Sequence, residues 1–402
     1  MLAGRFHHFS EGRTSGEAAL SVHNEEREAF RVWGAESLPL LVFKQRGMKM
    51  GKIRIAIDAM GGDNAPEAPV RGAIDALNDR KDSISLILLG NEQKIRELLG
   101  GLTYPEDSVT VVNCTEEIEM AEPPVNAISK KKDSSIVKGM RLVRSGEADA
   151  FVSAGSTGAI LVGGQVLVGR IKGVERPPLA AVMPTEKGVS LLIDCGANVD
   201  ARPAWLLQFA EMGSIYMEHA MHIKNPTVGI LSIGAEEEKG NALVKETIPL
   251  LREKEDINFI GPVEARDVPA GAADVIVTDA FSGNLIMKMY EGTATSILHV
   301  FKKALLSSLK SKIGALLIKN GLKSALKTYD ASQYGGAPLL GLKGLVVKAH
   351  GSSKEKEFRI AVEQCLTFYE EDVNGKIRER MEAEAAQMRQ LKKAKAEHPE
   401  QA

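Results

Sequence analysis

Residues 53–63 read IRIAIDAMGGD. An apolar, β-branched run that ends in a carboxylate and two glycines is the pattern of a buried strand opening into a tight polar turn. The pattern recurs. Runs at 53–57, 84–89, 109–112, 150–153, 190–193, 227–233, 257–260, 275–278 and 345–348 alternate with helical stretches. This predicts βα units and a largely parallel sheet covered on both faces. Small or polar clusters close nearly every run: DAMGGD at Asp58, SAGSTG at Ser153, DCGANVD at Asp194, GAEEEKGN at Gly234, GPVEARD at Gly261, TDAFSGN at Thr278 and KAHGSS at Lys348. Ligands of open parallel sheets bind outside the carboxyl ends of the strands. Any one of these loops reads equally as a turn with a helix cap, but together they describe a polar crevice.

The 402 residues are 44% hydrophobic and 26% charged, enough to bury a sizeable core. Lysines and arginines number 51 against 53 acidic residues, a formal charge of -2 that carries no footprint of a nucleic-acid binder. Cys114, Cys195 and Cys365 are isolated, so they build neither a disulfide framework nor a CxxC metal site, and a reducing cytoplasm fits. The apolar run 38–43 is too short for a signal-peptide core or a membrane span.

Three segments fall outside the βα pattern. Residues 1–48 are mixed in charge and poorly periodic, and Met48 and Met50 directly precede the first strand; they read as a disordered extension or a start assigned too early. The α/β catalytic domain is placed at 49–372. Within it, 291–330 carries Ile297, Phe301, Leu305, Leu309, Ile313 and Leu317 at i, i+4 spacing, with Leu316 beside them. Lys302, Lys303, Lys310, Lys312, Lys319, Lys323 and Lys327 surround that stripe. A break at Asn320-Gly321 is expected to divide it into a helical pair. Such a pair serves as a core or dimer-interface element with a solvated lysine face, or as a cationic element resting on an anionic membrane. The tail, 373–402, has a thin stripe of Ile377, Met381, Ala385, Met388 and Leu391 and reads as a solvated or partner-seeking helix.

The chain has no GxGxxG after its first strand, no GxxxxGK[ST], no GxSxG and no HExxH. Usual dinucleotide enzymes, P-loop enzymes, serine hydrolases and zinc proteases are disfavoured accordingly. Among the histidines, His350 alone falls in a loop after a late strand, where it serves either chemistry or packing.

Taken in order, RIAIDAMGGDNAP from Arg54, SKKKDSS from Ser129, SAGSTGA from Ser153, VGRIKGVERP from Val168, LLIDCGANVDARP from Leu191, EEEKGN from Glu236, INFIGPVEARD from Ile257, VIVTDAFSGN from Val275, YGGAPLLGLKG from Tyr334 and KAHGSS from Lys348 resemble the phosphate acyltransferase family of bacterial phospholipid synthesis. The resemblance runs from about Ile53 to Phe368. The family usually has Asn where this chain has Ser156, whose hydroxyl can also donate. The resemblance implies a three-layer Rossmann-like α/β sandwich related to isopropylmalate and isocitrate dehydrogenases and to phosphotransacetylases, with the helical pair projecting from it. It implies a homodimer that makes acyl phosphate from fatty acyl-[acyl carrier protein] and inorganic phosphate, without a cofactor. It further implies a cytoplasmic enzyme held at the inner membrane face, handing its product to a membrane glycerol-3-phosphate acyltransferase.

The chemistry suits these residues. A phosphate oxygen attacks a thioester carbonyl and a thiolate leaves; phosphate is largely dianionic near neutrality, with a second pKa of about 6, and a thiol leaves readily with a pKa of about 8.5. The site needs an anion seat and donors for the developing oxyanion rather than a triad. Lys239 is the leading catalytic candidate and Asn284 an oxyanion donor. Gly61, Gly62, Asp63, Gly155, Ser156, Thr157, Gly158, Asp194, Asn198, Asp279, Ser282, Gly283, His350, Gly351 and Ser352 are the phosphate and substrate candidates, with phosphate placed near Ser156 and Thr157 and reached by Lys239. Some of Asp58, Asp63, Asp194, Asp200 and Asp279 must orient lysine or loop backbone rather than face an anion. A divalent metal could bridge carboxylate and phosphate, but no ligand spacing demands one. Cys195 reads as a buried inert thiol rather than an acyl carrier.

Acyl carrier protein is acidic, so Lys130, Lys131, Lys132, Arg170, Lys172 and Arg176 are nominated for docking. Phe301, Leu305, Leu309, Ile313, Leu316 and Leu317 are nominated for membrane contact. Two other functions remain open: a phosphotransacetylase of short acyl-CoA, and a non-enzymatic scaffold at the membrane surface.

Overall fold

The computed structural model describes residues 51–329 and 331–397. The extension placed at 1–48 lies outside the described residues, as do the side chains of Lys323, Lys327, Met388 and Leu391.

The strands divide between two sheets. The first has the order β10-β11-β4-β1-β2-β3, formed by β1 (Ile53–Asp58), β2 (Ile84–Gly90), β3 (Val109–Asn113), β4 (Ala150–Ser153), β10 (Ala337–Pro338) and β11 (Leu345–Lys348). The second has the order β5-β6-β9-β7-β8, formed by β5 (Ala180–Thr185), β6 (Gly188–Ile193), β7 (Thr227–Ser232), β8 (Asn258–Glu264) and β9 (Val275–Val277). Only β10 against β11 and β5 against β6 pair antiparallel. The expectation of one sheet is corrected here, because periodicity marks a strand without marking its neighbour. Alternate residues of one strand fill two separate cores: Ile53, Ile55 and Ile57 face one cluster and Ala56 the other. Burial on both faces is the reason these strands read as near-continuous apolar runs.

β5 was missed in the sequence. Pro184 interrupts its run, but β5 lies at a sheet edge, where a strand tolerates the missing N–H donor.

The helices follow as α1 (Glu67–Asp79), α2 (Glu92–Leu99), α3 (Pro124–Lys130), α4 (Ser135–Ser145), α5 (Thr157–Gly163), α6 (Pro203–His219), α7 (Ala242–Arg252), α8 (Ala280–Leu305), α9 (Leu309–Thr328), α10 (Glu355–Glu370) and α11 (Val373–Glu397). The break in the helical pair falls at Leu306–Ser308 instead of Asn320-Gly321. Ser308 accepts the Ser311 N–H at 3.1 Å and starts the second helix as a serine cap, while Gly321 is carried inside α9. A single interior glycine costs about 1 kcal/mol, which a 20-residue helix absorbs.

The tail helix is likewise not a solvated element over its first turns. Val373, Ile377 and Met381 are buried in the core. Beyond them Lys254 of the α7–β8 connection donates to Glu211 of α6 at 2.6 Å and to Glu384 of α11, and Arg380 pairs with Glu384, Asp256 and Glu211. Burial pushes the Glu211 carboxyl up from 4.5 to about 7, and the adjoining Glu384 adds to the shift. Because folding raises this pKa, its contribution is full below the unfolded value and is lost as pH rises through about 7. Glu211→Gln should therefore gain in urea midpoint on the wild type as pH is taken from about 5 to about 8. A constant difference would contradict the assignment.

Candidate active site

Two groups of loops gather at strand carboxyl ends. In the first sheet, Asp58, Ser153 and Lys348 end three adjacent strands in continuing register: Ile57 pairs with Val152, and Ser153 pairs with Lys348. Ser153 donates to Asp58 Oδ2 at 2.6 Å and accepts the Gly155 N–H at 3.0 Å. Met60 N–H donates to Asp58 Oδ1 at 3.1 Å. The buried carboxyl is pushed above its ordinary value by desolvation, and its bonds to Ser135 and Ser153 oppose that shift.

The glycines in this group are required by close approach. A Cβ on Gly61 would lie 2.4 Å from Asp58 Oδ2 and 2.7 Å from the Gly155 nitrogen, and Gly62 holds φ at +100°. Asp63 N–H reaches the Gly351 carbonyl at 2.8 Å, and the Asn64 amide bridges the carbonyls of Ser352 and Ser353. Gly61, Gly62 and Asp63 thus meet Gly155 on one side and Gly351 and Ser352 on the other, three loops far apart in sequence. Ser156 is buried and caps α5 through the Ala159 N–H, with Thr157 and Gly158 in the first turn. The exposed His350 joins Ser352 through Nδ1 at 2.8 Å.

In the second sheet, Asp194 organises its own loop. Its Oδ1 accepts the N–H groups of Leu179, Gly196 and Ala197, and its Oδ2 accepts the N–H and the side-chain amide of Asn198, all within 3.0 Å. Asp194 thus accepts from four backbone N–H groups and one side-chain amide of its own neighbourhood; burial raises its pKa and these donors counter the rise. Asn198 accepts the Ala280 N–H on its carbonyl, so this loop supports the start of α8. Asp279 caps α8, accepting the Ser282 N–H at 2.9 Å and the Ser282 hydroxyl at 3.0 Å. Gly283 presses its backbone against the Asp194 carbonyl, and Asn284 follows with its amide beside Gly196. Cys195 is buried, its thiol pushed up by burial and by Asp194, which fits an inert packing role.

Lys239 is not bonded to either group. It is 52% exposed on its side chain and is held by Glu236 at 2.8 Å within its own loop, an ion pair that raises its pKa. Its loop follows β7, the neighbour of β9, and so adjoins the loop of Asp279. Of the docking candidates, Lys130, Lys132, Arg170, Lys172 and Arg176 are exposed, whereas Lys131 is tied to Glu122 and to the Glu117 carbonyl. Arg176 and Arg202 both lie over the Trp205 ring, at 5.2 and 5.4 Å. Among the described residues no cluster of His, Cys, Asp or Glu is arranged to hold a metal ion.

One candidate residue escaped the sequence reading. Lys348 ends β11 only 8% exposed, its ammonium donating to the Ala349 carbonyl. Burial, together with the nearby Lys288 of α8, lowers its pKa to about 8, against the pull of Asp58 and Asp63. The available signal was the pattern LVVK: a lysine closing a fully apolar strand directly before a Gly-Ser loop.

Glycine-tight loops at parallel strand ends, with a buried lysine and amide donors, suit an α/β enzyme of anion and acyl chemistry. The fold also aligns with a phosphotransacetylase from Streptococcus pyogenes, at TM-score 0.51 and 18% identity over 79% of this chain and 94% of that one. Residues 53–376 match the family model described as fatty acid synthesis protein. A phosphate acyltransferase from Clostridium beijerinckii is 48% identical over 83% of this chain and 100% of its own length, and one from Alkaliphilus oremlandii is 50% identical over 80% and 95%. The chain belongs to this family, the phosphate acyltransferases.

Proposed function

We propose that the protein transfers a fatty acyl group from acyl carrier protein to inorganic phosphate, and that the acyl phosphate feeds phospholipid synthesis through a membrane glycerol-3-phosphate acyltransferase. The observation that carries this reading is the convergence of the Gly61–Gly62, Gly155–Ser156 and Gly351–Ser352 loops on the Asp58–Ser153 pair. Glycine turns of this kind at strand ends suit the binding of an anion. Asn284, set by Gly283 and Asp279, donates to the oxyanion, and Lys239, once released from Glu236, polarises the thioester or protonates the leaving sulfur. The exposed basic residues Lys130, Lys132, Arg170, Lys172 and Arg176 suit an acidic carrier.

To test this, kcat/KM is compared for palmitoyl carrier protein and acetyl-CoA in phosphate buffer. Preference for the carrier by at least about a hundredfold supports the reading; preference for acetyl-CoA transfers it to the phosphotransacetylases.

The helical pair supplies the membrane and dimer parts of the proposal. Phe301, Leu309, Ile313, Leu316 and Leu317 are all more than half exposed, Leu317 at 80%, while Leu305 is partly covered. Such a stripe calls for a partner in water; the lysines along it suit an anionic lipid surface, and the apolar residues suit the matching stripe of a second subunit. No helix among the described residues is long and apolar enough to cross a membrane. Leu309→Glu with Leu317→Glu should cut cosedimentation with phosphatidylglycerol vesicles at least about tenfold, since each buried leucine contributes about 2 kcal/mol. Undiminished binding would remove the helices from the membrane role.

A further inference from the structure

Among the described residues, Lys348 is a buried charge to whose ammonium the fold gives a carbonyl, that of Ala349, but no carboxylate. It is 92% buried by exposure of 8%, and among the described residues it forms no ion pair. Removing an ammonium from water costs several kcal/mol unless a counter-charge meets it. The nearest carboxylate in the strand-end row, Asp58, is already occupied by Ser153, Ser135 and the Met60 N–H. Ser153 stands between Asp58 and Lys348 in register, and its hydroxyl is committed to Asp58 as donor and to Gly155 as acceptor. Lys288 of α8, itself 3.9 Å from Glu291, adds positive charge that disfavours the Lys348 ammonium further. A buried lysine with no carboxylate partner among the described residues, at a strand end beside the glycine-tight Gly155 loop, is an arrangement completed by a multiply charged oxyanion.

We propose that Lys348 is the phosphate-binding cation of this site, standing in a strand-end row with Ser153 and Asp58, and that Ser153 is a positioning residue which holds the Gly155 loop onto the bound anion. The inference rests on the proposed use of inorganic phosphate as acyl acceptor. It separates two tasks first given to one residue: Lys348 seats phosphate and Lys239 acts on the acyl donor. Its pKa near 8 leaves the amine mostly protonated at neutral pH, as a phosphate ligand must be.

The test is titration of inorganic phosphate alone into wild type and Lys348→Met by calorimetry, followed by steady-state kinetics. Weakening of phosphate affinity by at least about tenfold, with the phosphate KM raised in parallel and the acyl-donor KM unchanged, supports the proposal. Affinity within about twofold of wild type overturns it, as does wild type that binds no phosphate. If wild type binds phosphate through Lys348 but forms no acyl phosphate, the reading of the function fails and the binding site stands. Should Lys348→Met not fold, the wild type decides. An amine acylating reagent followed by peptide mass spectrometry should modify Lys348 several-fold less in phosphate than in chloride of equal ionic strength, and equal modification overturns the proposal.

Discussion

Asp194→Ala is expected to lower the unfolding free energy by about 4 kcal/mol and to abolish acyl transfer. The buried carboxylate accepts donors from Leu179, Gly196, Ala197 and Asn198, and truncation leaves four backbone N–H groups and one amide without their acceptor. Each buried unsatisfied donor costs about 1 to 3 kcal/mol and relaxation of the loop recovers part of the sum. The activity is lost because this loop carries the Asn198 carbonyl that holds the first turn of α8, and with it Asn284. Urea unfolding and acyl phosphate formation, measured on the same preparation, check both halves. A variant with wild-type stability would show that the loop is held by something other than Asp194.

Gly283→Ala should instead separate geometry from stability. A Cβ at this position would sit 1.9 Å from the Asp194 carbonyl oxygen and 3.0 Å from Thr278 Cγ2, and neither neighbour is a flexible side-chain end. The start of α8 must therefore lift off the β6 loop by roughly 1 Å, a misplacement able to cost about a hundredfold in rate. Overpacking of this kind destabilises by about 1 to 3 kcal/mol, so the variant is expected to fold. A folded Gly283→Ala variant with kcat within about threefold of wild type would place the oxyanion donor elsewhere.

The parallel strands were legible because each is a short β-branched run buried on both faces, and the site loops because glycine and aspartate mark strand ends. Sheet membership was not legible: nothing in the run 190–193 says that β6 neighbours β9 rather than β4. The helix break went to Asn320-Gly321 because a glycine is a conspicuous breaker, whereas the Ser307-Ser308 cap is quiet. Ile377 and Met381 looked like a thin stripe because the surrounding Lys, Arg and Glu outweigh them in any window, yet both are buried. The role of Lys348 required the register of three strands, which brings residues 58, 153 and 348 into one row. Lys239, the most prominent lysine in the sequence loops, is by contrast paired with Glu236.

The central claim is that phosphate itself accepts the acyl group at this site. Purified protein incubated with palmitoyl carrier protein and radiolabelled inorganic phosphate tests it most directly. The account predicts that label enters a lipid-soluble, hydroxylamine-labile product in an amount equal to the carrier thiol released. Thiol release without incorporated label would mean that water, not phosphate, is the acceptor, and would contradict the account.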